Sequence, residues 1–318
     1  MAASQSSTSI MYRAKDFIET AQGLIFAVVA DGLEDGKVRC FLRYVSLDGR
    51  WRKVSTEVAN QFLAEQHPQY LFYSHQLDAH MHAVALEAIG RHYSPRQVLR
   101  HLLENEASDA VLADLQQLCA LLQREGLELV QLGITGSMLI GVQNHTSDID
   151  LVCYDRVVFH QLRNRVQSLI AQDKCRTLND KDWLEAYQRR ACDMPLDDYI
   201  WHEQRKYNKA IINQRKFDLS LVATPREASG TRYSKLGPVR IEATVVEDHY
   251  GFDYPAEFAI EHIEIRCVVC FTATFTGQAQ VGERVVIAGQ LEMDEKGGKR
   301  IVVGSSREAV GEYIKLIR

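Results

Sequence analysis

The chain has 318 residues, of which 46% are hydrophobic and 25% are charged, a balance typical of a folded protein rather than a disordered one. No run approaches the roughly 18 apolar residues of a membrane span, and the first residues lack the apolar core of an export signal. Seven cysteines at irregular spacing favour reduced thiols over a disulfide framework. We therefore expect a cytoplasmic protein with no membrane partner.

The charge is unevenly distributed along the chain. The net charge of −5 provides no overall attraction to nucleic acid. The segment from Arg156 to Arg240, however, contains 17 Lys and Arg against 10 Asp and Glu. A basic middle between acidic ends suits an anionic substrate such as a nucleotide or an RNA end, although solvated basic surfaces are also common.

The first part of the chain predicts a flexible tail over residues 1–15 and an N-terminal α/β module over residues 16–95. Strand-like runs (GLIFAVVA, KVRCFLRYV, YLFYS) surround a helix around STEVANQFLAEQ that begins after the capping residue Ser55. The segment SHQLDAHMH has the density of a metal site, but no helical or strand period places more than two or three of its candidate ligands on one side. Those candidates are His75, Asp78, His80 and His82.

Residues 96–235 predict a mixed core. One or two amphipathic helices end on Gly126, and strand LELVQLGIT, a Gly-Ser turn, strand DIDLVCYD, further helices and strand RKFDLSLVA follow. The segment 203–213 predicts a basic helix that could contact a triphosphate or an acceptor. Its candidate residues are Arg205, Lys206 and Lys209. Trp183 and Tyr187 lie four apart on a helix and could stack a base, although core packing is favoured.

Residues 236–318 predict a small β-barrel. About five short strands, with EKGGK as a hairpin turn, have the rhythm of a Greek-key barrel of the OB type. Such barrels often bind single-stranded nucleic acid, and a purely architectural barrel is equally compatible with the pattern. Cys267 and Cys270 form a C-x-x-C in an alternating run, where positions three apart point to opposite faces, so zinc is disfavoured.

Two aspartates interrupt the apolar strand DIDLVCYD. In a strand, Asp148 and Asp150 would project from one face about 6.6 Å apart, while Ile149 enters the core. Carboxylates this close repel each other unless a cation lies between them, and Mg²⁺ prefers oxygen ligands. Asp218 stands alone among apolar residues in RKFDLSLVA, and pairing the two strands would bring all three acids to one surface.

The turn before these acids has the features of a phosphate-binding bend. Glycine at position 136 allows close approach of a ligand, and the hydroxyl of Ser137 and the free amides of a following helix attract phosphate. We therefore predict that Gly136 and Ser137 contact the phosphates of a nucleotide.

LGITGSMLIGVQNHTSDIDLVCYD followed by KFDLSLV resembles the nucleotidyltransferase superfamily of DNA polymerase β, which includes tRNA CCA-adding enzymes and poly(A) polymerases. This pattern covers roughly residues 127–223. More broadly, the chain resembles a little-studied group of predicted nucleotidyltransferases best known from archaea, through segments such as KDFIETAQGLIFAVV, FDYPAEF and GQAQVGERVVIAGQLE. The resemblance implies an α+β fold with a polymerase β-like core.

The resemblance also implies roles for particular residues. Asp148 and Asp150 would bind two Mg²⁺ ions, with Mn²⁺ as the alternative, and Asp218 would complete the ion that activates a hydroxyl. The expected reaction transfers a nucleoside monophosphate from a nucleoside triphosphate to the 3′ end of RNA or tRNA and releases pyrophosphate. Transfer to a protein or a small molecule, and a non-catalytic nucleic-acid-binding role, are the alternatives.

Overall fold

The computed structural model describes residues 12–75, 79–190, 192–223, 233–305 and 309–318. Of the predicted flexible tail, residues 1–11 lie outside these ranges, as does Asp78 of the histidine-rich segment. The described residues form a mixed α+β protein with several sheets and helices, which confirms the predicted class at that level. None of their helices is both long and apolar enough to cross a membrane.

The chain forms two compact units. The first comprises Met1–Asn105 and Gly133–Gln143, and the second comprises Glu106–Leu132 and Asn144–Arg318. The segments predicted as a catalytic core and a barrel thus lie largely in the second unit. The finer division at residues 16–95, 96–235 and 236–318 stays a prediction.

The first unit is built on a seven-stranded sheet with the order β5-β6-β3-β2-β1-β7, and β4 pairs with β3. Its strands are β1 (Phe17–Thr20), β2 (Leu24–Glu34), β3 (Lys37–Leu47), β4 (Arg50–Lys53), β5 (Leu71–Ser74), β6 (Ala79–Ala85) and β7 (Ile89–Tyr93). Helices α1 (Thr56–Gln66) and α2 (Pro95–Glu104) belong to this unit. Ser55 caps α1, because its side chain accepts a hydrogen bond from the amide of Val58 at 3.3 Å, as predicted.

The predicted strand LELVQLGIT is wrong in its first half. A 3₁₀ turn occupies Leu129–Gln131, and strand β8 covers only Leu132–Thr135. The first unit then continues with a 3₁₀ helix, Gly136–Ile140, whose Leu139 packs against Phe17 and Tyr93.

The second unit begins with α3 (Ala110–Arg124), which is capped by Asp109 through the amide of Leu112 at 2.8 Å. Its central part is a sheet in which β10, β11 and β9 are hydrogen-bonded in that order. The elements of this part are β9 (Ile149–Cys153), α4 (Arg156–Ala171), α5 (Asp180–Arg190), α6 (Leu196–Gln204), β10 (Lys209–Ile212) and β11 (Arg215–Leu221).

The last part of the second unit is a closed ring of strands. β12 pairs with β13 and also with β15, so the order β12-β13-β14-β16-β15 returns to β12, and β17 extends β15. β14 and β16 run parallel, whereas the other pairs are antiparallel. The strands are β12 (Tyr233–Glu247), β13 (Ala256–Glu261), β14 (Ile265–Cys270), β15 (Arg284–Asp294), β16 (Lys299–Val303) and β17 (Tyr313–Leu316).

The core of the ring is shared with two helices. Phe258, Ile287 and Ile301 from its strands are no more than 1% exposed. Trp183 of α5 and Tyr199 of α6 belong to the same apolar cluster. This shared core fixes α5 and α6, and α6 leads directly into the sheet that bears the acids.

Candidate functional site

Asp150 and Asp218 lie side by side on neighbouring strands. β9 and β11 run parallel, and their register places Asp218 directly opposite Asp150. Neighbouring strands lie about 4.8 Å apart, so the two carboxylates leave the backbone at nearly the same point of the sheet. The predicted pairing of these two strands is confirmed.

The alternation of side chains explains why both acids avoid the core. On β11 the buried residues are Phe217, Leu219 and Leu221, and the residues between them are half-buried. On β9, Ile149 and Leu151 are buried on either side of the half-buried Asp150. Apolar burial therefore fixes the register, and it forces the acids to the opposite face.

Asp148 precedes the strand instead of lying within it. β9 begins at Ile149, so the prediction that both acids of the Asp-Ile-Asp motif are strand residues is wrong for Asp148. The loop before it is tied to β11, because the Arg215 guanidinium donates to the carbonyl oxygens of Ser147 at 2.7 Å and His145 at 3.1 Å. Asp148 thus lies at the end of an anchored loop.

The charges around Asp148 are mixed. Burial raises the pKa of Asp148, and the negative charge of Asp218 raises it further. The positive charges of Lys216 and Arg189 lower the same pKa. The pKa of Asp148 therefore depends on the nearby acid Asp218 and on the two cations Lys216 and Arg189.

Mg²⁺ and Mn²⁺ bind carboxylate oxygens, and such an ion would offset the repulsion between the carboxylates. The side chains of Asp148, Asp150 and Asp218 therefore have suitable donor atoms for such an ion. Within the described ranges, however, no three His, Cys, Asp or Glu side chains are arranged to hold one ion together. The register brings Asp150 and Asp218 together, whereas the three carboxylates do not form a ready-made cage. Asp148, Asp150 and Asp218 are the residues that could hold one.

The predicted basic helix over 203–213 is wrong. α6 ends at Gln204, Tyr207 adopts a φ of +51°, and Lys209 begins β10. The left-handed backbone at Tyr207 ends the helical run, and the β-branched residues Ile211 and Ile212 then pair with β11. Its basic residues consequently occupy three different environments.

Arg205 and Lys206 point towards the strand ring of the same unit. The Arg205 guanidinium pairs with Glu283 at 2.5 Å and lies 4.7 Å from the ring centre of Trp201. Lys206 is 2% exposed, and its Nζ donates to the Thr274 carbonyl oxygen at 2.8 Å. These contacts favour a structural role for both residues over the predicted contact with a triphosphate.

Lys209 differs from them, because it lies beside the acids. Its Cα partner across the sheet is Asp218, and its Nζ forms an ion pair with Glu203, which is 3% exposed. Burial lowers the pKa of Lys209, but the negative charges of Glu203 and Asp218 outweigh burial and raise it. Burial raises the pKa of Glu203, but the two lysines outweigh burial and lower it to about 2. Lys209 and Glu203 are therefore both ionised at neutral pH.

Gly136 and Ser137 begin the 3₁₀ helix of the first unit. Gly136 has a φ of +70°, a conformation that other residues rarely adopt, so glycine is required at this turn. The amide of Val142 donates to the Ser137 carbonyl oxygen at 3.0 Å and closes the segment. The predicted sequence of strand, tight turn and short helical piece is confirmed, while the proposed phosphate contact stays a prediction.

Two cations beside the acids were missed by the sequence analysis. Lys216 of β11 pairs with Asp182 at 3.3 Å and Glu185 at 3.6 Å, and both acids belong to α5. Arg189 lies on the same face of α5, one turn beyond Glu185, and its side chain is exposed. The sequence showed the dipeptide Arg-Arg at the end of a predicted helix. It did not show that this helix packs beside β11.

Among the described residues, His75, His80 and His82 of the histidine-rich segment do not form a metal site. His82 uses both ring nitrogens, since Nδ1 accepts from the Leu42 amide at 2.9 Å and Nε2 lies 2.8 Å from Asn60 Oδ1. His75 and His80 are exposed and contact the ring of Tyr73. His82 therefore has no nitrogen left for a metal.

Trp183 and Tyr187 belong to the core rather than to a base-stacking surface. Trp183 is 2% exposed, and the Tyr187 hydroxyl donates to the Met194 carbonyl oxygen at 2.6 Å. The favoured prediction of core packing is confirmed.

Comparison with known proteins places the chain in a family. It is 34% identical over 337 aligned residues to a protein of Methanocaldococcus jannaschii named "Uncharacterized protein MJ1086", and the alignment covers 96% of this chain and 99% of the relative. The chain belongs to the same family as MJ1086. No model of a protein family matches the sequence, and no solved structure matches it.

Proposed function

We propose that this protein is a metal-dependent nucleotidyltransferase that transfers a nucleoside monophosphate to a hydroxyl acceptor. The observation that carries the proposal is the register of β9 and β11, which places Asp218 opposite Asp150. Asp150 follows Asp148 by two residues, so the three acids lie near one another. Three acids gathered in this way cost stability through mutual repulsion, so a catalytic use is a better reason for them than a structural one.

The three acids would hold Mg²⁺ or Mn²⁺, which when bound supplies positive charge for the triphosphate and for the attacking hydroxyl. Asp218 lies in register with Asp150 and would orient the acceptor hydroxyl and draw its proton away as the hydroxyl oxygen approaches the α-phosphorus. Asp148 and Asp150 would align the phosphate chain for in-line displacement, in which the new oxygen–phosphorus bond forms while the bond to pyrophosphate breaks.

The exposed cation that suits the triphosphate best is Arg189. Lys216 already has two carboxylate partners on α5, and Arg205 is paired with Glu283. By contrast, Arg189 is exposed, makes no hydrogen bond or ion pair with another described residue, and lies close enough to lower the pKa of Asp148. A guanidinium at this border would bind the phosphate oxygens that extend beyond the acids.

We favour the 3′ end of RNA or of a tRNA-like molecule as the acceptor. The closed order β12-β13-β14-β16-β15, with its parallel β14–β16 pair, supports an OB-like barrel, and such barrels bind single-stranded nucleic acid. The basic middle of the chain is compatible with the same polymer.

The test is an incubation of the purified protein with Mg²⁺, each α-labelled nucleoside triphosphate in turn, and separate pools of tRNA, other RNA, single-stranded DNA and protein. We expect label in the tRNA or RNA pool, release of pyrophosphate, and no label with Asp150→Asn. Label in protein alone would overturn the RNA acceptor. Metal-independent RNA binding without any labelled product would overturn the enzyme and favour a binding protein.

A further inference from the structure

A lysine and two aspartates form one row across three strands of the second unit. Lys209 of β10 is the Cα partner of Asp218 on β11, and Asp218 is the Cα partner of Asp150 on β9. Residues directly opposite each other on neighbouring strands project from the same face of the sheet. The face that presents the acids therefore presents a positive charge in the same row.

The ammonium group of Lys209 is held in place from behind. Glu203 uses one carboxylate oxygen, Oε2, for Lys209 and the other, Oε1, for Lys206, whose Nζ lies 2.5 Å away. Lys206 is anchored in turn by the carbonyl oxygen of Thr274 at 2.8 Å. Because Glu203 and Lys206 are only 3% and 2% exposed, this arrangement cannot relax into solvent.

The two lysines that share Glu203 differ in their electrostatics. Burial lowers the pKa of Lys206, whereas the negative charges of Glu203 and Asp218 outweigh burial and raise the pKa of Lys209. The side chain of Lys209 is 12% exposed and leads to the row of acids. Lys209 therefore brings a positive charge beside Asp218, where it offsets part of the repulsion between Asp218 and Asp150.

Lys216 lies on the same face and provides the contrast. It is two residues before Asp218 on β11, but Asp182 and Glu185 both pair with it. The Cα partner of Lys216 on β10 is Ile211 rather than an acid, and its charge acts on Asp148, whose pKa it lowers. Among the described residues of these three strands, Lys209 is the lysine whose Cα partner is one of the acids.

We propose that Lys209 takes the place of one of the two divalent cations, so that the nucleotide-free protein binds a single ion at Asp148 and Asp150. Asp218 then has the Lys209 ammonium as its counter-charge, because the two residues are Cα partners on neighbouring strands. This inference rests on the proposed function, because it assumes that the acids bind a divalent cation.

The experiment counts bound Mn²⁺ in the absence of nucleotide, by the electron paramagnetic resonance signal of the free ion and by calorimetry. Wild-type protein should bind one Mn²⁺ per chain. Lys209→Met should bind two, or bind the first at least about tenfold more tightly, because a positive charge in the same row as the acids has been removed. Lys209→Arg keeps the charge and should bind one.

Lys216→Met is the matched control and should also bind one Mn²⁺, while Asp150→Asn should bind none. Two ions in the wild type, or a count and affinity unchanged by Lys209→Met, would overturn the role of Lys209 and leave the proposed enzyme intact. No binding by the wild type, or equal binding by Asp150→Asn, would overturn the metal site itself. The wild-type count decides even if Lys209→Met does not fold, and Lys209→Gln is the second neutral variant.

Discussion

His82 in the first unit and Asp218 in the second are both ionisable residues within strands, yet their surroundings are opposite. The two ring nitrogens of His82 have the Leu42 amide and the Asn60 side chain as partners. The carboxylate of Asp218 forms no hydrogen bond or ion pair with any described residue and has Asp150 opposite it in register. The set of partners therefore separates the structural His82 from Asp218, which we propose to be functional, and the residue type does not.

The surroundings of His82 and those of the acids also differ in how they affect the ionisation of these groups. Burial lowers the pKa of His82 to about 4, so the ring is neutral and satisfied by hydrogen bonds at neutral pH. In the acid row, like charges stay close to each other, and the pKa of Asp148 is raised first by burial and then by Asp218. The following changes test whether the first arrangement serves stability and the second serves chemistry.

The largest expected effect is on the transfer reaction. Asp150→Asn or Asp218→Asn should reduce labelled product by at least about 10³-fold, because a group that stabilises the transition state is lost. The midpoint temperature of thermal unfolding should be unchanged or slightly higher in both variants, because the repulsion between the acids is relieved. Asp193→Asn, at an exposed position, is the control. A large loss of stability in Asp218→Asn would show that Asp218 serves stability as His82 does, and would contradict the contrast between the two residues.

The second effect is on stability in the first unit. His82→Ala should lower the free energy of unfolding by about 2–4 kcal/mol, because it removes two hydrogen bonds and leaves a cavity. Urea unfolding at pH 7.5 measures this value, with the exposed His80→Ala as the control. If both variants unfold alike, His82 does not have the structural role assigned to it.

The third effect is a dependence of stability on pH. Because burial lowers the pKa of His82 from 6.5 to about 4, protons bind the unfolded chain first as the pH falls. The contribution of His82 to the free energy of unfolding is therefore fully present above pH 6.5 and is lost between pH 6.5 and 4. At pH 5 the loss is about 2 kcal/mol.

His202 adds a similar contribution, because burial lowers its pKa to about 3. Urea unfolding at pH 7.5 and pH 5 measures the difference, and His82→Gln should reduce it. A difference that stays the same in His82→Gln would assign the pH dependence to other groups.

The smallest expected effect is on nucleotide affinity. Arg189→Ala should weaken the binding of a nucleoside triphosphate with Mg²⁺ several-fold, and added salt should reduce the difference. Titration of a fluorescent ATP analogue measures it. Arg165→Ala, an exposed arginine on α4, is the matched control and should bind as the wild type does. Equal weakening in both variants would indicate a general effect of net charge.

The acid row was accessible from the sequence because its signal is local. Alternation within DIDLV and RKFDLSLVA identified the strands and the face of each acid, and Ser55 identified the start of α1. Lys209 was placed on a helix because the run EQRKYNKAI has no break as strong as proline. The left-handed backbone at Tyr207 ended the helix instead.

Other features depended on distant partners. The contacts of Lys206 with Thr274 and of Arg205 with Glu283 join residues about seventy positions apart, so no local pattern could indicate that these cations were already paired. The division into two units was equally hidden, because Gly133–Gln143 belongs to the first unit although the residues on both sides belong to the second. Spacing rules work within an element, and they fail where the tertiary fold chooses the neighbour.

The parallel pairing of β9 with β11 sets the order in which the acids can meet during synthesis. Asp148 and Asp150 leave the ribosome long before Asp218, and β11 cannot dock until α4, α5 and α6 have followed β9. A nascent chain that has not reached β11 therefore displays an incomplete set of acids, so the proposed activity should appear only after β11 has docked.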